Sequence, residues 1–403
     1  MKHIFSGWAH RTQSTINPLY LERNNRIDAG AAVIDLISGN VNQQGIYFPE
    51  DLLQKALAAG IAQGRTYRPD PRGQLIARQA IAGHYRQAGL CIPPERIFLT
   101  TGTSLSYWYA FALLANRGDH MLVPCPTYPL FDTIADILGI QLRHYRLNAQ
   151  DRWRIDLDHL ASRIGPKTRG ILLISPHNPT GNVASASEIE ILSEIALRHG
   201  LPIISDEVFS PFIFRRKGLP RPASTEAPFV ITLNGLSKMY ALPGLKIGWM
   251  AFSGDPNWIK KGVEPLETLS DAFLPVQEAA QFALPMIMNE GKSFLASYRS
   301  KIKNRAEKAF ELLSRSNRLR VQRPEGGFYI TAEIRDRQAD DEALALDLLK
   351  REGVLVHPGY LYDAEAPVFV ISCVPPEAIL ESGISKLIRH MEKRDGEKSV
   401  PTA

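Results

Sequence analysis

Three cysteines in 403 residues, Cys91, Cys125 and Cys373, are too few and too far apart for a disulfide framework, and no CxxC spacing exists for a redox or zinc motif. The ten histidines form no HExxH pair, so no zinc-peptidase ligand set is present and no metal site is expected. There is no GxSxG elbow, no Walker A sequence and no GxGxxG. These absences remove elbow-type serine hydrolases, P-loop enzymes and ordinary Rossmann dehydrogenases. No apolar run approaches the roughly 18 residues of a membrane-spanning helix. The segment Met1 to Arg11 holds no apolar stretch of signal-peptide length. A soluble, cytoplasmic protein with no membrane partner is expected. Lys and Arg exceed Asp and Glu by 47 to 42, a net charge of +5, but the basic residues are scattered, with only short pairs such as Arg215-Arg216 and Lys260-Lys261. A nucleic-acid binder concentrates its charge in a patch, so no nucleic-acid partner is expected.

What is present is an ordinary globular composition, 44% hydrophobic and 22% charged. At about 150 residues per domain the length suggests two or three domains. Residues 1–45 read as an irregular arm with one strand-like piece, Ala32 to Ile37. Residues 50–63 and 74–88 have helical periodicity. A pattern of short apolar run, polar punctuation and helical stretch then repeats four times, with runs at 96–100, 121–124, 170–174 and 201–205; a fifth run, 229–233, follows without a full helix. Apolar runs alternating with helices indicate a buried, mostly parallel sheet. Helices dominate 257–316, and a smaller α+β pattern fills 319–393, with strand-like stretches at 327–332 and 368–372. The domains are expected at 46–290 (large) and 291–393 (small, joined by the 1–45 arm), with a disordered tail at 394–403.

In such a sheet, ligands bind beyond the carboxyl ends of the strands. Five strand ends carry distinctive residues. Thr100 to Ser106 is a glycine turn opening a helix, whose free N–H groups suit an anion. Tyr128, in a Pro-rich turn after the second run, is held stiffly enough to stack on a flat ring. Asn178, in Asn-Pro-Thr-Gly after the third, can donate to a cofactor oxygen. Asp206 and Glu207 end the fourth and need positive partners if buried; an Asp facing a pyridinium N–H is such a pairing. Lys238 follows the fifth in apolar company, where a desolvated amine suits Schiff-base formation. Anion cradle, ring stacker, amide, acid and amine together match pyridoxal 5′-phosphate, which has a phosphate, a flat ring, a phenolic oxygen, a ring nitrogen and an aldehyde.

Over nearly its whole length the chain resembles a fold-type I pyridoxal-phosphate enzyme of the class I/II aminotransferase family. The resemblance rests on these strand-end motifs, on Asn178-Pro179-Thr180-Gly181 and Ser237-Lys238 with Pro243-Gly244 above all. It extends to Ser38-Gly39-Asn40, Thr66-Tyr67-Arg68-Pro69, Pro324 to Tyr329 and Val356-His357-Pro358-Gly359. It implies an α/β PLP-transferase-like large domain, with helices on both faces of a mostly parallel sheet, and a smaller α+β domain. It implies Lys238 as the lysine of the internal aldimine, Asp206 at the ring nitrogen, Asn178 at the phenolic oxygen and Tyr128 on the ring. Thr103, Ser104, Ser237 and Lys246 fall to the phosphate, with Tyr67 reaching the phosphate of a neighbouring subunit in a homodimer with shared sites. Gly39 and Asn40 fall to the substrate.

Four positions depart from the family pattern. Lys246 stands where an arginine to the phosphate is usual, Gly235 where a serine or threonine is usual, and Phe209 where a tyrosine bonds the phenolic oxygen. Val370, in Val370-Ile371-Ser372, stands where the family has the arginine that grips the substrate α-carboxylate. Either the substrate has no such carboxylate or another residue has taken over, with Arg72 the first candidate and Arg68 the second. The resemblance implies a transaminase moving an amino group from a small amino donor to a keto acid by a ping-pong route. The alternatives are another pyridoxal-phosphate reaction on this fold (lyase, cyclase, decarboxylase or oxidase) and a cofactor-sensing regulatory domain.

Overall fold

The computed structural model describes residues 4, 8–9 and 16–398. After a helix at Pro18–Asp28 and a short strand β1 (Ile34–Asp35), two helices, Glu50–Gln63 and Leu75–Gln87, lead into the main sheet. Its strands are β2 (Ile97–Thr100), β3 (His120–Cys125), β4 (Gln141–Asn148), β5 (Arg154–Ile155), β6 (Thr168–Ile174), β7 (Ile203–Asp206), β8 (Phe229–Gly235) and β9 (Gly248–Gly254). They lie in the order β2-β9-β8-β7-β6-β3-β4-β5. β4, β3, β6, β7 and β8 run parallel, while β9 is antiparallel to both β2 and β8 and β5 is antiparallel to β4.

The near-continuous apolar runs exist because both faces of this sheet are covered. Side chains alternate: Leu172 and Ile174 of β6 pack with Tyr107, Phe111 and Phe131 on one face, while Ile171 and Leu173 pack with Ile189, Leu192 and Ile195 on the other. The helix behind the second group, Ala186–His199, starts with a full capping box between Ser185 and Glu188 and stops at Gly200 in the left-handed region. A cap of this kind is worth about 1 kcal/mol.

Helices Pro256–Phe273, Glu278–Glu290 and Lys292–Leu313 follow. The second sheet has β10 (Leu319–Val321), β11 (Tyr329–Ile334), β13 (His357–Pro358) and β14 (Val368–Ser372), all antiparallel in the order β10-β11-β14-β13; β12 (Val354–Leu355) pairs instead with β1. The N-terminal segment is therefore stitched to the C-terminal part of the chain, also by Ser372 N–H donating to the Leu36 carbonyl at 2.6 Å. Leu36 is buried in that unit's core with Phe328, Ile330, Leu355 and Ile371.

The mostly parallel sheet and its helices are as expected, with four differences. Only Ile34–Asp35 of the Ala32–Ile37 piece pairs as strand. The run at 201–205 is followed by an irregular segment and a short 3₁₀ turn, Pro222–Ser224, rather than a helix. Six strands were not singled out beforehand: the short β5, β10, β12 and β13, and two longer ones, β4, polar and partly exposed near the sheet's edge, and β9, hidden in the segment after Lys238. At the C-terminus the last helix, Glu377–Lys398, continues through 394–398, which were expected to be disordered; the rest of that tail, 399–403, lies outside the described residues.

Candidate active site

The carboxyl ends of β2, β3, β6, β7 and β8 open on one cavity of about 360 Å³. Nine of the residues singled out above line it: Thr103, Ser104, Tyr128, Asn178, Asp206, Phe209, Ser237, Lys238 and Lys246. At one end the helix Thr103–Leu114 begins at Gly102, whose φ of 123° favours glycine and which supplies no side-chain cap. The carbonyl of Gly102 accepts from the N–H groups of Leu105 and Ser106, while those of Thr103 and Ser104 have no partner among the described residues. Two free N–H groups, the positive end of the helix dipole, Ser237 and the Lys246 ammonium form an anion cradle.

Along the wall, Asp206 ends β7 and is buried. Burial pushes its carboxyl up to about 6, against the opposing hydrogen bonds from the Tyr107 hydroxyl and, at 2.9 Å, from the Val208 N–H. A carboxylate held this way favours a cationic neighbour that would stabilise its charge. Glu207 has one already: Arg221 pairs with it at 2.7 Å, both side chains buried. Asn178 Oδ1 is enclosed and has no partner among the described residues. Its amide presents an acceptor or, turned over, a donor to the cavity. Tyr128, 41% exposed, stands at the mouth. Phe209 packs on Phe328, ring centroids 4.8 Å apart, and brings no hydroxyl.

Lys238 sits on the short helical turn Leu236–Met239 directly after β8. Its Nζ donates to the Gly39 carbonyl at 3.1 Å, and enclosure alone lowers its pKa to about 8. Gly39 approaches so closely that a Cβ there would lie 2.3 Å from the Tyr329 hydroxyl. Both Gly39 and Tyr329 thus face Lys238 across the cavity.

The remaining expected residues lie elsewhere. Tyr67 is 75% exposed and does not reach this cavity within the chain. Asn40 is exposed beside Gly39. Arg72 lies outside this cavity within the chain: its guanidinium pairs with Glu267 and donates to the Glu95 carbonyl at 3.4 Å. Arg68 is exposed and does not line the cavity. Val370 is buried in mid-strand against Tyr362 and Tyr329. Beside it runs a neutral hydrogen-bonded row, Tyr20 Oη to His357 Nε2 at 2.7 Å and His357 Nδ1 to Tyr362 Oη at 3.0 Å. Among the cavity-lining residues only Lys238 and Lys246 are cationic.

Two residues given no role beforehand prove central. Tyr107 lies one turn beyond Thr103 on the same helix, a spacing that places it under the cradle and against Asp206. Tyr329 opens β11 in the second sheet; nothing local reveals that it meets Gly39. Among the described residues no group of three or more His, Cys, Asp or Glu is placed to hold a metal ion.

The donor set fits pyridoxal phosphate: a cradle of free N–H groups at one end, an unpartnered amide and a buried carboxyl along the side, and an amine of lowered pKa at the other. Comparison with known proteins agrees. The sequence profile of the family "Aminotransferase class I and II" matches residues 31–385. The chain is 31% identical to the glutamate-pyruvate aminotransferase AlaA of Escherichia coli (strain K12) over 386 residues, 93% of this chain and 94% of that protein. It is 30% identical to the arginine–pyruvate transaminase AruH of Pseudomonas aeruginosa over 346 residues, 85% of each chain. The solved alanine aminotransferase from Pyrococcus furiosus superposes with a TM-score of 0.91 at 27% identity, over 97% of this chain and 100% of that one.

Proposed function

The chain belongs to the class I and II aminotransferases and is a pyridoxal-phosphate-dependent transaminase; within that frame we propose the role of each residue and the range of substrates. Other pyridoxal-phosphate chemistries are not favoured, since the quoted relatives are aminotransferases. When bound, the cofactor supplies an aldehyde that condenses with amines and a ring that takes up the electron pair of a broken Cα–H bond.

Lys238 Nζ is the amine that holds the cofactor at rest and the base that moves the proton between substrate and cofactor carbons once released. What supports this is its position after β8 and its pKa near 8, which leaves a useful free-base fraction at neutral pH. Asp206 keeps the ring nitrogen protonated, and Tyr107 steadies its carboxylate. The N–H groups of Thr103 and Ser104, with Ser237 and Lys246, hold the phosphate; Asn178 meets the phenolic oxygen and Tyr128 lies on the ring. Phe209 offers no hydrogen bond there, so the cofactor is tuned by Asn178 alone on that side. Tyr67 belongs to the neighbouring site of a homodimer, which its exposure within one chain favours. A cytoplasmic location accords with the finding that among the described residues no helix is long and apolar enough to cross a membrane.

On the substrate side, Gly39, Asn40 and Tyr329 take up the amino donor and the keto acid. Pyruvate is the first acceptor to try, because the names of both bacterial relatives contain it. The observation that carries the reading is the convergence of five strand ends on Lys238 and Asp206 in one cavity. The experiment is a screen of amino donors against pyruvate and 2-oxoglutarate. Keto acid formed in step with the amino product, and beyond one equivalent per site only when an acceptor is added, is the expected result; keto acid formed over many turnovers without an acceptor would overturn it.

A further inference from the structure

Away from the cofactor cavity, two adjoining hollows of about 720 and 460 Å³ share His84, Gln87, Ala88, Lys292, Leu295 and Arg299. The smaller one adds Arg216, Lys217 and Arg221. Five Lys and Arg side chains thus line 460 Å³, and no Asp or Glu lines either hollow. Among the described residues, counter-charges exist for two of them only. Arg216 pairs with Glu325 at 2.8 Å, and Arg221 pairs with Glu207. Arg299 spends Nε and Nη2 on the Ile213 carbonyl, which fixes the guanidinium but leaves its charge unmet. Lys217 and Lys292 have no carboxylate partner among the described residues. His84 adds no charge at neutral pH, because burial and then Arg221 lower its pKa to about 4; it serves as a hydrogen-bonding group.

A concave surface lined by one sign of charge focuses potential and concentrates counter-ions. The volume suits a small molecule rather than a chain. The walls also come from separate elements: the 210–221 segment that follows β7, the helix Leu75–Gln87 and the start of the helix Lys292–Leu313. That last helix packs on the second sheet through Ile302, Ala306 and Ala309.

We propose that this hollow binds a small polyanion with at least two negative charges, a phosphate compound or a polycarboxylate, gripped by Lys217, Lys292 and Arg299. A bound polyanion ties the 210–221 segment to the Lys292–Leu313 helix with charge-assisted hydrogen bonds. This site is separate from the cofactor cavity and its existence does not rest on the roles proposed there.

The test uses the holoenzyme, so that the cofactor's own phosphate cradle is filled. Pyrophosphate and citrate are titrated separately by calorimetry at an ionic strength held constant with sodium chloride, and melting temperature is followed in parallel. Saturable binding of either probe is expected, with a raised melting temperature; pyrophosphate alone assigns the site to phosphate compounds and citrate alone to polycarboxylates. Lys292→Glu and Lys217→Glu, both exposed positions, are expected to weaken binding at least about tenfold each while leaving turnover unchanged. Absence of saturable binding for both probes, an equal melting shift from sodium chloride alone, or wild-type affinity in both variants would overturn the proposal.

Discussion

The two sides of the cofactor cavity are built by different means. The cofactor side is made of strand ends in one sheet, where each polar group sits within a few residues of a buried apolar run. Backbone pairing sets its spacing: Ile174 lies opposite Asp206, and Asp206 opposite Leu233. The side proposed for the substrate has Gly39 and Tyr329, brought together from the first stretch of the chain and from the second sheet. Tyr329 brings a neutral hydroxyl there, and both cations that line the cavity, Lys238 and Lys246, belong to the cofactor side. The difference teaches that groups on strand ends are spaced by backbone pairing within one sheet, whereas the opposite wall depends on contacts between segments far apart in the chain.

Substitutions that break the cofactor side should have the largest effects. Lys238→Ala should lower turnover by about 10⁴-fold or more, because one residue supplies both the attachment point and the base; stopped-flow single turnovers would measure it. Asp206→Asn should still bind cofactor yet lose roughly 10³-fold in rate, since the ring nitrogen is no longer held protonated. A near wild-type rate would mark Asp206 as merely the acceptor for Val208 and Tyr107.

The next effect concerns the cofactor-free protein. The folded-state pKa of Lys238 is lowered from 10.5 to about 8, so the unfolded chain binds more protons between those values. Stability should therefore rise with pH across roughly pH 8 to 10.5, and the cost below pH 8 is on the order of 3 kcal/mol. Lys238→Met should be the more stable protein at pH 7, with the gap closing by about pH 10.5 in urea titrations. Smaller again, Lys246→Ala should weaken cofactor affinity about tenfold, the loss of one charge-assisted contact, with little change in rate once cofactor saturates. Equilibrium dialysis would show it.

The smallest effect tests the other side. Tyr329→Phe removes one hydroxyl next to Lys238 and Gly39 and should change KM by about fivefold, the worth of a neutral hydrogen bond, with cofactor affinity unchanged. If it instead released the cofactor, the division between the two sides would fail.

This division also explains what could be read in the sequence. Residues on strand ends announce themselves, because Asp206 or Lys238 after a buried apolar run has to have a partner. Tyr107 was within reach, one helical turn from the cradle, but an aromatic in an apolar helix looks like core packing. Tyr329 and Gly39 were not readable as a pair, since about 290 residues separate them and no local pattern encodes a contact between the N-terminal segment and the second sheet. The pairing of Arg72 was unreadable for the same reason: its partner Glu267 sits on a helix far along the chain. The strand β4 was missed because half of its side chains face solvent near the sheet's edge, which leaves no apolar run to see.

The central claim is that Lys238 is the amine around which the cofactor side is assembled. Borohydride reduction of the holoenzyme followed by peptide mapping tests it most directly. A single reduced cofactor adduct on Lys238, absent from Lys238→Ala, is the predicted result; an adduct on any other lysine, or an unmodified Lys238 in fully loaded enzyme, would contradict the account.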